Sequence, residues 1–372
     1  MRRNQIGGAC GVIALLCGAC ICAAQNKAVA LAAPKEQMEQ EAKRGSGMNA
    51  KQVNAKQTTR EVTDETGRHV AIPVNVRRIV ALAPNLAEIV YALGAQDRLF
   101  GVSNYSDYPS AAKSKPRVGM PVDPNLEAIV AAHPDIVLIT TQGNRRETAD
   151  ELARLGIAVY ATNPHSVESM LESIEHIGDV IGATAQAESV IKNLRRRLDV
   201  LQSKLANVPV ARVFFVVGES PLISLGEHTF IADALRYAGA QSVVHAKQDW
   251  PQISSEEVVR LNPDYLVFAG SGFGGQDSTA KQLAELRSEP VWRELAAVRK
   301  GRVVVVSDEI DLPAPGLVDA IEKLARQLHP NVFEDAAQHA SVRQFSVSVR
   351  VHAHLQRAVS QDSCAEAIAC GR

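Results

Sequence analysis

Short apolar runs alternate with amphipathic helical stretches along most of the chain. The run Arg78-Ile-Val-Ala-Leu predicts a first buried strand, and the helix that follows it ends at Gly94. Strands and helices then alternate as far as about Ala161, and a second series begins at Arg212-Val-Phe-Phe-Val-Val. Regular alternation of this kind predicts parallel sheets with crossover helices. The pattern therefore predicts an α/β fold.

Two parts of this pattern are copies of each other. Glu127-Ala-Ile-Val-Ala-Ala-His-Pro-Asp and Glu256-Glu-Val-Val-Arg-Leu-Asn-Pro-Asp are each followed by four apolar residues, so each predicts a short helix and a buried strand. Upstream, Leu86-Ala-Glu-Ile-Val-Tyr-Ala-Leu-Gly matches Ile231-Ala-Asp-Ala-Leu-Arg-Tyr-Ala-Gly. The copies are 129 residues apart at the glutamates (256 − 127) and 145 at the glycines (239 − 94), much longer than a solenoid repeat. The chain therefore contains two related lobes, and two lobes form a cleft.

A long helix is predicted between the lobes. Thr184 can serve as its N-cap, and its apolar residues recur every three or four positions as far as Leu205. The helix ends before Pro209, and about 24 residues span roughly 35 Å. A single stiff helix between two lobes predicts a cleft that is largely preformed and closes by a small angle.

The N-terminal segment has the features of an export signal. Two arginines precede an apolar run rich in small residues, which predicts a signal peptide over residues 1–24. Lipid attachment at Cys20 is an alternative. The residues that follow lack an apolar stripe and predict a flexible linker over residues 25–60. We therefore expect an exported, periplasmic protein.

The C-terminal tail contains two cysteines and one predicted strand. Cys364 and Cys370 are the only cysteines beyond the signal segment, and they form either a disulfide or two unpaired thiols. Alternation over Phe345-Ser-Val-Ser-Val-Arg-Val predicts an added strand, with His352 and His354 on a solvated face. The division that results is a first lobe over residues 61–183, a backbone helix over 184–208, a second lobe over 209–332 and a tail over 333–372.

Composition excludes several classes of function. The 40 basic and 41 acidic residues balance, so no electrostatic argument supports binding to nucleic acid. The signatures of hydrolases and of structural metal sites are missing after the signal segment. Gly270-Ser-Gly-Phe-Gly-Gly has the spacing of a dinucleotide-binding loop, but it lies in the second lobe, and we interpret it as a loop at the rim of the cleft. We expect no catalytic residues, no metal and no catalytic cofactor.

Candidate ligand contacts follow the predicted strands, where α/β sheets bind ligands. They are Tyr105 in a polar and aromatic loop, Trp250 in the loop before the second repeated helix, Asp308 after the strand Val303–Val306, and Asn85 after the first core strand. In a chain with 4% aromatic residues, a tryptophan in a loop favours a binding surface over core packing. Aromatic surfaces with few charges are typical of sites for a large, mostly apolar ligand.

The paired glutamates favour a different role. Glu127 and Glu256 each open a helix, where negative charge is favourable, and one copy alone would be ordinary helix-start chemistry. Because both lobes carry the glutamate, we predict that the pair docks on a two-fold symmetric partner with basic residues at a matching separation.

Together, these motifs resemble the helical-backbone (class III) periplasmic binding proteins that serve ABC importers of cobalamin, haem and ferric siderophores. The resemblance runs from about Glu61 to Val332 and is greatest to the cobalamin-binding proteins, through Asn104-Tyr-Ser-Asp-Tyr-Pro and Trp250-Pro-Gln. It implies two Rossmann-like lobes with the ligand between them. It also implies that one glutamate of each lobe contacts arginines of the permease, in agreement with the interpretation of the repeat.

The resemblance also assigns individual positions. It places the cleft tyrosine of the family at Tyr105, the cleft tryptophan at Trp250 and a cleft aspartate at Asp308. Two positions depart from the cobalamin binders: Pro121 replaces an aromatic residue, and Leu312 replaces an arginine. These departures remove one stacking surface and one hydrogen-bond donor.

We therefore expect a solute receptor, monomeric and without catalytic activity, that captures cobalamin or another corrinoid and delivers it to an ABC permease and, indirectly, to its ATPase. Haem or a ferric siderophore is the alternative ligand, with Tyr105 able to bind haem iron. An exported enzyme or chelatase that uses His165 or His228 is the alternative of a different class.

Overall fold

The computed structural model describes residues 58–269 and 278–333, which belong to one compact unit. The predicted signal segment, nearly all of the linker, the glycine loop at residues 270–275 and the tail lie outside the described residues, and so do Cys364 and Cys370. Within the described residues the fold is α/β with two four-stranded parallel sheets, as predicted.

The first lobe contains an antiparallel hairpin and a four-stranded sheet in the order β4-β3-β5-β6. The hairpin begins at Thr59, two residues before the predicted start of the lobe at residue 61. The elements are β1 (Thr59–Thr63), β2 (His69–Pro73), β3 (Ile79–Ala81), α1 (Pro84–Ala92), β4 (Leu99–Val102), α2 (Leu126–Ala131), β5 (Ile136–Thr140), α3 (Arg146–Arg154), β6 (Val159–Thr162) and α4 (Val167–Val180).

The helix α5 (Thr184–Leu205) joins the lobes and confirms the predicted long helix. Its buried side chains include the five leucines and isoleucines of the predicted stripe, so the 3.6-residue period of the sequence is the period of its packing. The prediction that Thr184 is the N-cap is wrong. Ala183 occupies that position, without a side-chain hydrogen bond, and Thr184 is the first helical residue.

The second lobe repeats the topology of the first, with a parallel sheet in the order β10-β7-β11-β12. Its elements are β7 (Ala211–Val216), the hairpin β8 (Gly218–Glu219) and β9 (Leu222–Ile223), α6 (Phe230–Tyr237), β10 (Ala240–Ser242), α7 (Ser255–Leu261), β11 (Tyr265–Ala269), α8 (Ser278–Ser288), α9 (Ala296–Arg299), β12 (Val303–Val306) and α10 (Gly316–Leu328).

The repeated Pro-Asp pair has the same structural role in both lobes. Asp135 Oδ2 accepts a hydrogen bond from the backbone N–H of Arg78 at 2.9 Å, and Asp264 Oδ2 accepts one from Arg212 at 3.0 Å. The residue before each Pro-Asp pair has a positive φ, 46° in one lobe and 42° in the other. Each pair therefore reverses the chain after the short helix and ties it to the start of the first sheet strand.

One apolar cluster extends through both lobes and the backbone helix. It includes Leu86 of the first lobe, Leu198 of α5 and Leu317 of the second lobe, all of them buried. Arg197 of α5 adds polar contacts to α10: its Nη2 contacts Asp319 and its Nε contacts Glu322 at 3.0 Å. The two lobes and the backbone helix are consequently packed on a common core.

Two carboxylates also connect the lobes. Glu88 Oε1, on α1, accepts a 2.6 Å hydrogen bond from the backbone N–H of Gly316, the first residue of α10. Asp233 Oδ2, on α6, accepts a 2.7 Å bond from the N–H of Val167, the first residue of α4. The first-turn N–H groups of a helix lack intrahelical partners, so each carboxylate satisfies one of them across the lobe boundary.

Glu88 is buried, with 5% of its surface exposed. The pKa of its carboxyl is raised from the ordinary 4.5 to about 7, mainly by loss of hydration. The bond from Gly316 lowers the pKa, and the carboxylates of Glu309 and Asp319 contribute to raising it. The folded protein thus binds a proton at Glu88 at pH values where the unfolded chain has released it.

We expect the substitution Glu88→Gln to change the pH dependence of stability. It removes the charge and keeps an oxygen that accepts from Gly316. In the wild type, the contribution of Glu88 to the free energy of unfolding falls as the pH rises from 4.5 to 7, because the pKa of its carboxyl is higher in the folded state than in the unfolded chain. Above pH 7 this contribution is level. At about pH 8 the variant should be the more stable protein, by up to on the order of 3 kcal/mol. Below pH 4.5 the two should be equal.

Urea unfolding across this pH range measures the difference between variant and wild type, in which the contributions of other titrating groups cancel. A difference that does not change with pH would contradict the assignment of the titration to Glu88.

Candidate functional site

The lobes meet where the parallel strands end. The helices α1, α4 and α10 follow the carboxyl ends of β3, β6 and β12, and the bonds that link the lobes are made at the starts of α4 and α10. The loops that leave the strands therefore surround the junction, which is where doubly wound sheets bind ligands.

The loop after β4 is held rigidly. Arg117 Nη1 donates to the backbone oxygens of Ser103 (2.9 Å) and Ser106 (3.0 Å), and its Nη2 donates to Asp107 Oδ1 (2.9 Å). The hydroxyls of Ser103 and Ser106 are 2.9 Å apart and buried. Within the loop that these hydrogen bonds hold, Tyr105 is 59% exposed. The predicted contact residue thus presents its ring to solvent from a fixed backbone.

Tyr108, in the same loop, is a site residue that the sequence did not single out. It is half exposed, yet burial raises the pKa of its phenol, and the carboxylates of Glu88, Asp319 and Glu309 raise it further. Tyr108 therefore lies within electrostatic reach of an acidic group built from both lobes. No local pattern indicates this, because the two lobes contribute residues more than 200 positions apart in the chain.

The loop that carries Trp250 is supported by backbone pairing. Ser224 donates from its N–H to the oxygen of Pro251 (3.0 Å), and Gly226 donates to that of Asp249 (2.9 Å). The indole between these anchors is 53% exposed. A Cβ atom on Gly226 would lie 2.0 Å from the backbone oxygen of Gln248, so a glycine is required for the loop to lie this close.

The loop after β12 adds oxygen atoms to the junction. Asp308 begins the short 3-10 helix Asp308–Asp311 directly after the strand, and its side chain lies outside the described residues. Ser307 Oγ and Glu309 Oε2 are buried without a hydrogen-bond partner among the described residues. This end of the junction is therefore rich in hydrogen-bond acceptors.

Asn85, the fourth predicted contact, is the second residue of α1 and is 2% exposed. The structure thus leaves Tyr105 and Trp250 exposed on their loops, puts Asp308 at the start of the 3-10 helix after β12, and buries Asn85 in the first turn of α1. In this arrangement Asn85 offers little surface to a ligand.

A cavity of about 620 Å³ is lined by His165 of the first lobe and by residues of the second lobe. The second-lobe residues come from α6, the edge strand β10 and the segments beside them, and include Glu227, His228 and His245. His245 Nδ1 and Glu227 Oε1 are 2.7 Å apart. In the described part of the chain, no three His, Cys, Asp or Glu side chains are grouped as a metal site.

Glu127 is the second residue of α2, one position after the start of the helix that was predicted at this glutamate. It lies in the first turn, and the N-cap is Asn125, whose side chain accepts from the N–H of Ala128 at 2.9 Å. The capping function therefore belongs to Asn125, and Glu127 is exposed. Over residues 58–269 and 278–333, no basic side chain forms an ion pair with Glu127.

Glu256 has the equivalent position in α7. The N-cap is Ser254, whose hydroxyl accepts from the N–H of Glu257 at 3.2 Å. Glu257 is bound to Arg260, with Oε2 and Nε 2.8 Å apart, whereas Glu256 is exposed and has no ion-pair partner in the described part of the chain. Both predicted docking carboxylates are consequently accessible.

Among the described residues, no helix combines the length and the apolar character needed to cross a membrane.

Comparison with known proteins supports the assignment to the periplasmic substrate-binding proteins. The family described as periplasmic binding protein matches residues 79–310. An uncharacterized ABC transporter substrate-binding lipoprotein of Bacillus subtilis, YvrC, is 29% identical over 304 residues, covering 78% of this chain and 93% of that protein.

Two solved structures extend the comparison. The periplasmic vitamin B12 binding protein BtuF of Vibrio cholerae superposes with a TM-score of 0.59 and 26% identity, over 69% of this chain and 98% of that one. A periplasmic heme binding protein from Pseudomonas aeruginosa superposes with a TM-score of 0.62 and 27% identity, over 68% and 93%.

The family consists of substrate-binding proteins and not of enzymes, and the two lobes joined by one long helix are the architecture of its helical-backbone class. The chain therefore belongs to the periplasmic binding protein family, as a substrate-binding component of an ABC importer.

Proposed function

We propose that the protein captures a corrinoid, such as cobalamin, between its lobes and delivers it to the membrane permease of its importer. The observation that carries the proposal is the pair of exposed rings, Tyr105 and Trp250, one on each lobe, each on a loop with a fixed backbone. Rigid aromatic surfaces bind a large flat ligand with little loss of side-chain entropy.

The charge of the junction favours a corrinoid over haem. A corrin ring carries neutral carboxamides, whose N–H groups donate hydrogen bonds, whereas haem carries two carboxylates. Glu88, Glu309 and Asp319 lie together near Tyr108, and Ser307 Oγ and Glu309 Oε2 lack partners in the described chain. Buried acceptors are stabilised by donors, and like charges in a site of low dielectric repel each other.

Haem is the second candidate. It is supported by the similarity to a heme-binding protein and by the exposed phenol of Tyr105, since a tyrosine oxygen can bind haem iron. In that case the ring would turn its carboxylates away from the acidic end of the junction.

For the partner, we infer that Glu127 and Glu256 dock on basic residues of the permease. They are equivalent by the repeat, exposed and without an ion-pair partner in the described residues, and each lies in the first turn of a helix tied to its sheet through a Pro-Asp pair. A monomer presents two such groups, matching a two-fold symmetric partner.

We expect purified protein to retain cyanocobalamin and to bind haemin more weakly, because the acidic end of the junction repels carboxylates. Isothermal titration with both compounds measures the two affinities. Trp250→Ala should weaken the binding of cyanocobalamin by about 1–3 kcal/mol, by analogy with base–aromatic stacking. Leu155→Ala, at a side chain that is equally exposed but lies after α3, is the matched control. Preferential binding of haemin would contradict the choice of ligand.

We expect Gly226→Ala to weaken cyanocobalamin binding although the indole is intact. The new Cβ would lie 2.0 Å from Gln248 O, so the loop must move and carry Trp250 with it. Tryptophan fluorescence and titration report the movement and its effect on affinity. Leu155→Ala, at an exposed side chain after α3, is again the control. Unchanged affinity in Gly226→Ala would show that the position of the loop does not matter.

We expect charge reversal at both glutamates, Glu127→Lys with Glu256→Lys, to abolish uptake in cells while ligand affinity stays nearly unchanged. The controls are Glu257→Lys, one residue away on a carboxylate bound to Arg260, and Glu151→Lys on α3. Uptake of labelled ligand and titration of the purified variants give the two measurements. A parallel loss of affinity would mean that the pair lines the cleft.

A further inference from the structure

Two interlobe hydrogen bonds are equivalent under the internal repeat. Glu88 and Asp233 are 145 residues apart (233 − 88), the same offset as the glycines that end their helices. Each accepts from the first N–H of the last helix of the other lobe, at 2.6 and 2.7 Å. The first helix of each lobe is thus bonded to the last helix of its neighbour, in both directions.

We propose that Glu88 and Asp233 are positioning residues that together fix the angle between the two lobes, and so the width of the cleft, in the ligand-free protein. The inference concerns the geometry of the lobes and does not depend on which ligand the cleft accepts.

Hydrogen bonds are directional, whereas the apolar contacts between the lobes are not. The shared apolar cluster favours contact between the lobes at many angles, because burial of apolar surface is not directional. A hydrogen bond holds its two atoms at a defined distance and angle, and the carboxylate of Asp233 at the N-terminus of α4 also interacts favourably with the helix dipole. Two such bonds, one on each side of a pseudo-two-fold axis, leave little freedom of rotation between the lobes.

The local packing is built around one of these bonds. Gly316 has no side chain, and a Cβ atom there would lie 2.9 Å from Glu88 Oε1 and 3.5 Å from Glu309 Cγ. The glycine thereby allows α1 and α10 to approach until the carboxylate reaches the backbone. Any other residue at this position would push Glu88 away from the helix.

The two contacts differ in their electrostatic surroundings. Asp233 Oδ1 forms an ion pair with Arg236 at 2.7 Å, so its charge is compensated. Glu88 faces Glu309 of the 3-10 helix, Asp319 of α10 and, from the first lobe, the phenol of Tyr108. Arg197 of α5 forms ion pairs with Asp319 and with Glu322.

This difference makes one contact sensitive to pH. Opening the lobes at Glu88 would hydrate the carboxyl and return its pKa toward the ordinary value, so the closed arrangement binds more protons than the open one. Raising the pH through 7 therefore favours opening on the Glu88 side.

The test is a distance measurement in the full chain without ligand. Spin labels are attached at Glu151→Cys on α3 of the first lobe and Lys300→Cys after α9 of the second, both exposed, with the six native cysteines replaced by serine. We expect one narrow distribution in the wild type at about pH 5.5 and a broader one at about pH 8.5, on either side of the titration. Glu88→Gln should remove this pH response, and Asp233→Asn should leave it in place.

We expect Glu88→Ala with Asp233→Ala to add a population at longer distance at every pH, and the amide variants, which keep an oxygen acceptor, to restore the narrow distribution. Circular dichroism shows whether each variant is folded. If the double alanine variant does not fold, the pH dependence of the distance distribution in the folded Glu88→Gln protein still tests the proposal. A double alanine variant with the wild-type distribution, or a pH response that persists in Glu88→Gln, would overturn the proposal.

Discussion

The burial of one helix stripe between two lobes is the constraint on which the rest of the structure depends. Leu194, Leu198 and Leu201 of α5 lie in the same apolar cluster as the cores of both lobes. At about 25 cal/mol per Å² of apolar surface, exposing this stripe is costly, so the lobes stay joined. Apolar contact does not determine their angle, however, and the carboxylates of Glu88 and Asp233 add the directional bonds that it lacks.

The internal repeat gives the two lobes the same framework, but the charged residues at their junction differ. Both lobes have the same strand order, the same Pro-Asp turn and the same exposed glutamate. Glu88 lies near the carboxylates of Glu309 and Asp319, whereas its equivalent in the other lobe, Asp233, is paired with Arg236. Equivalent positions on the two lobes therefore differ in charge.

Local periodicity and the internal repeat were sufficient to predict the parallel strands, the apolar stripe of α5 and the helix starts near Glu127 and Glu256. They could not predict that Glu88 is buried, because the bond that explains its burial joins residues 228 positions apart. The prediction of Thr184 as N-cap failed for a local reason: a residue type typical of caps was chosen, whereas the helix includes that residue in its first turn.

The geometry connects the ligand site to the proposed docking surface. Each docking glutamate lies in the first turn of a short helix, and that helix ends at a Pro-Asp pair bonded to the start of a central strand. The glutamates thus move with the sheets and not as separate loops. Because the angle between the sheets is set at the lobe junction, any change in cleft width would also change the separation of Glu127 and Glu256. A permease that binds both carboxylates could then distinguish the closed protein from the open one without touching the ligand.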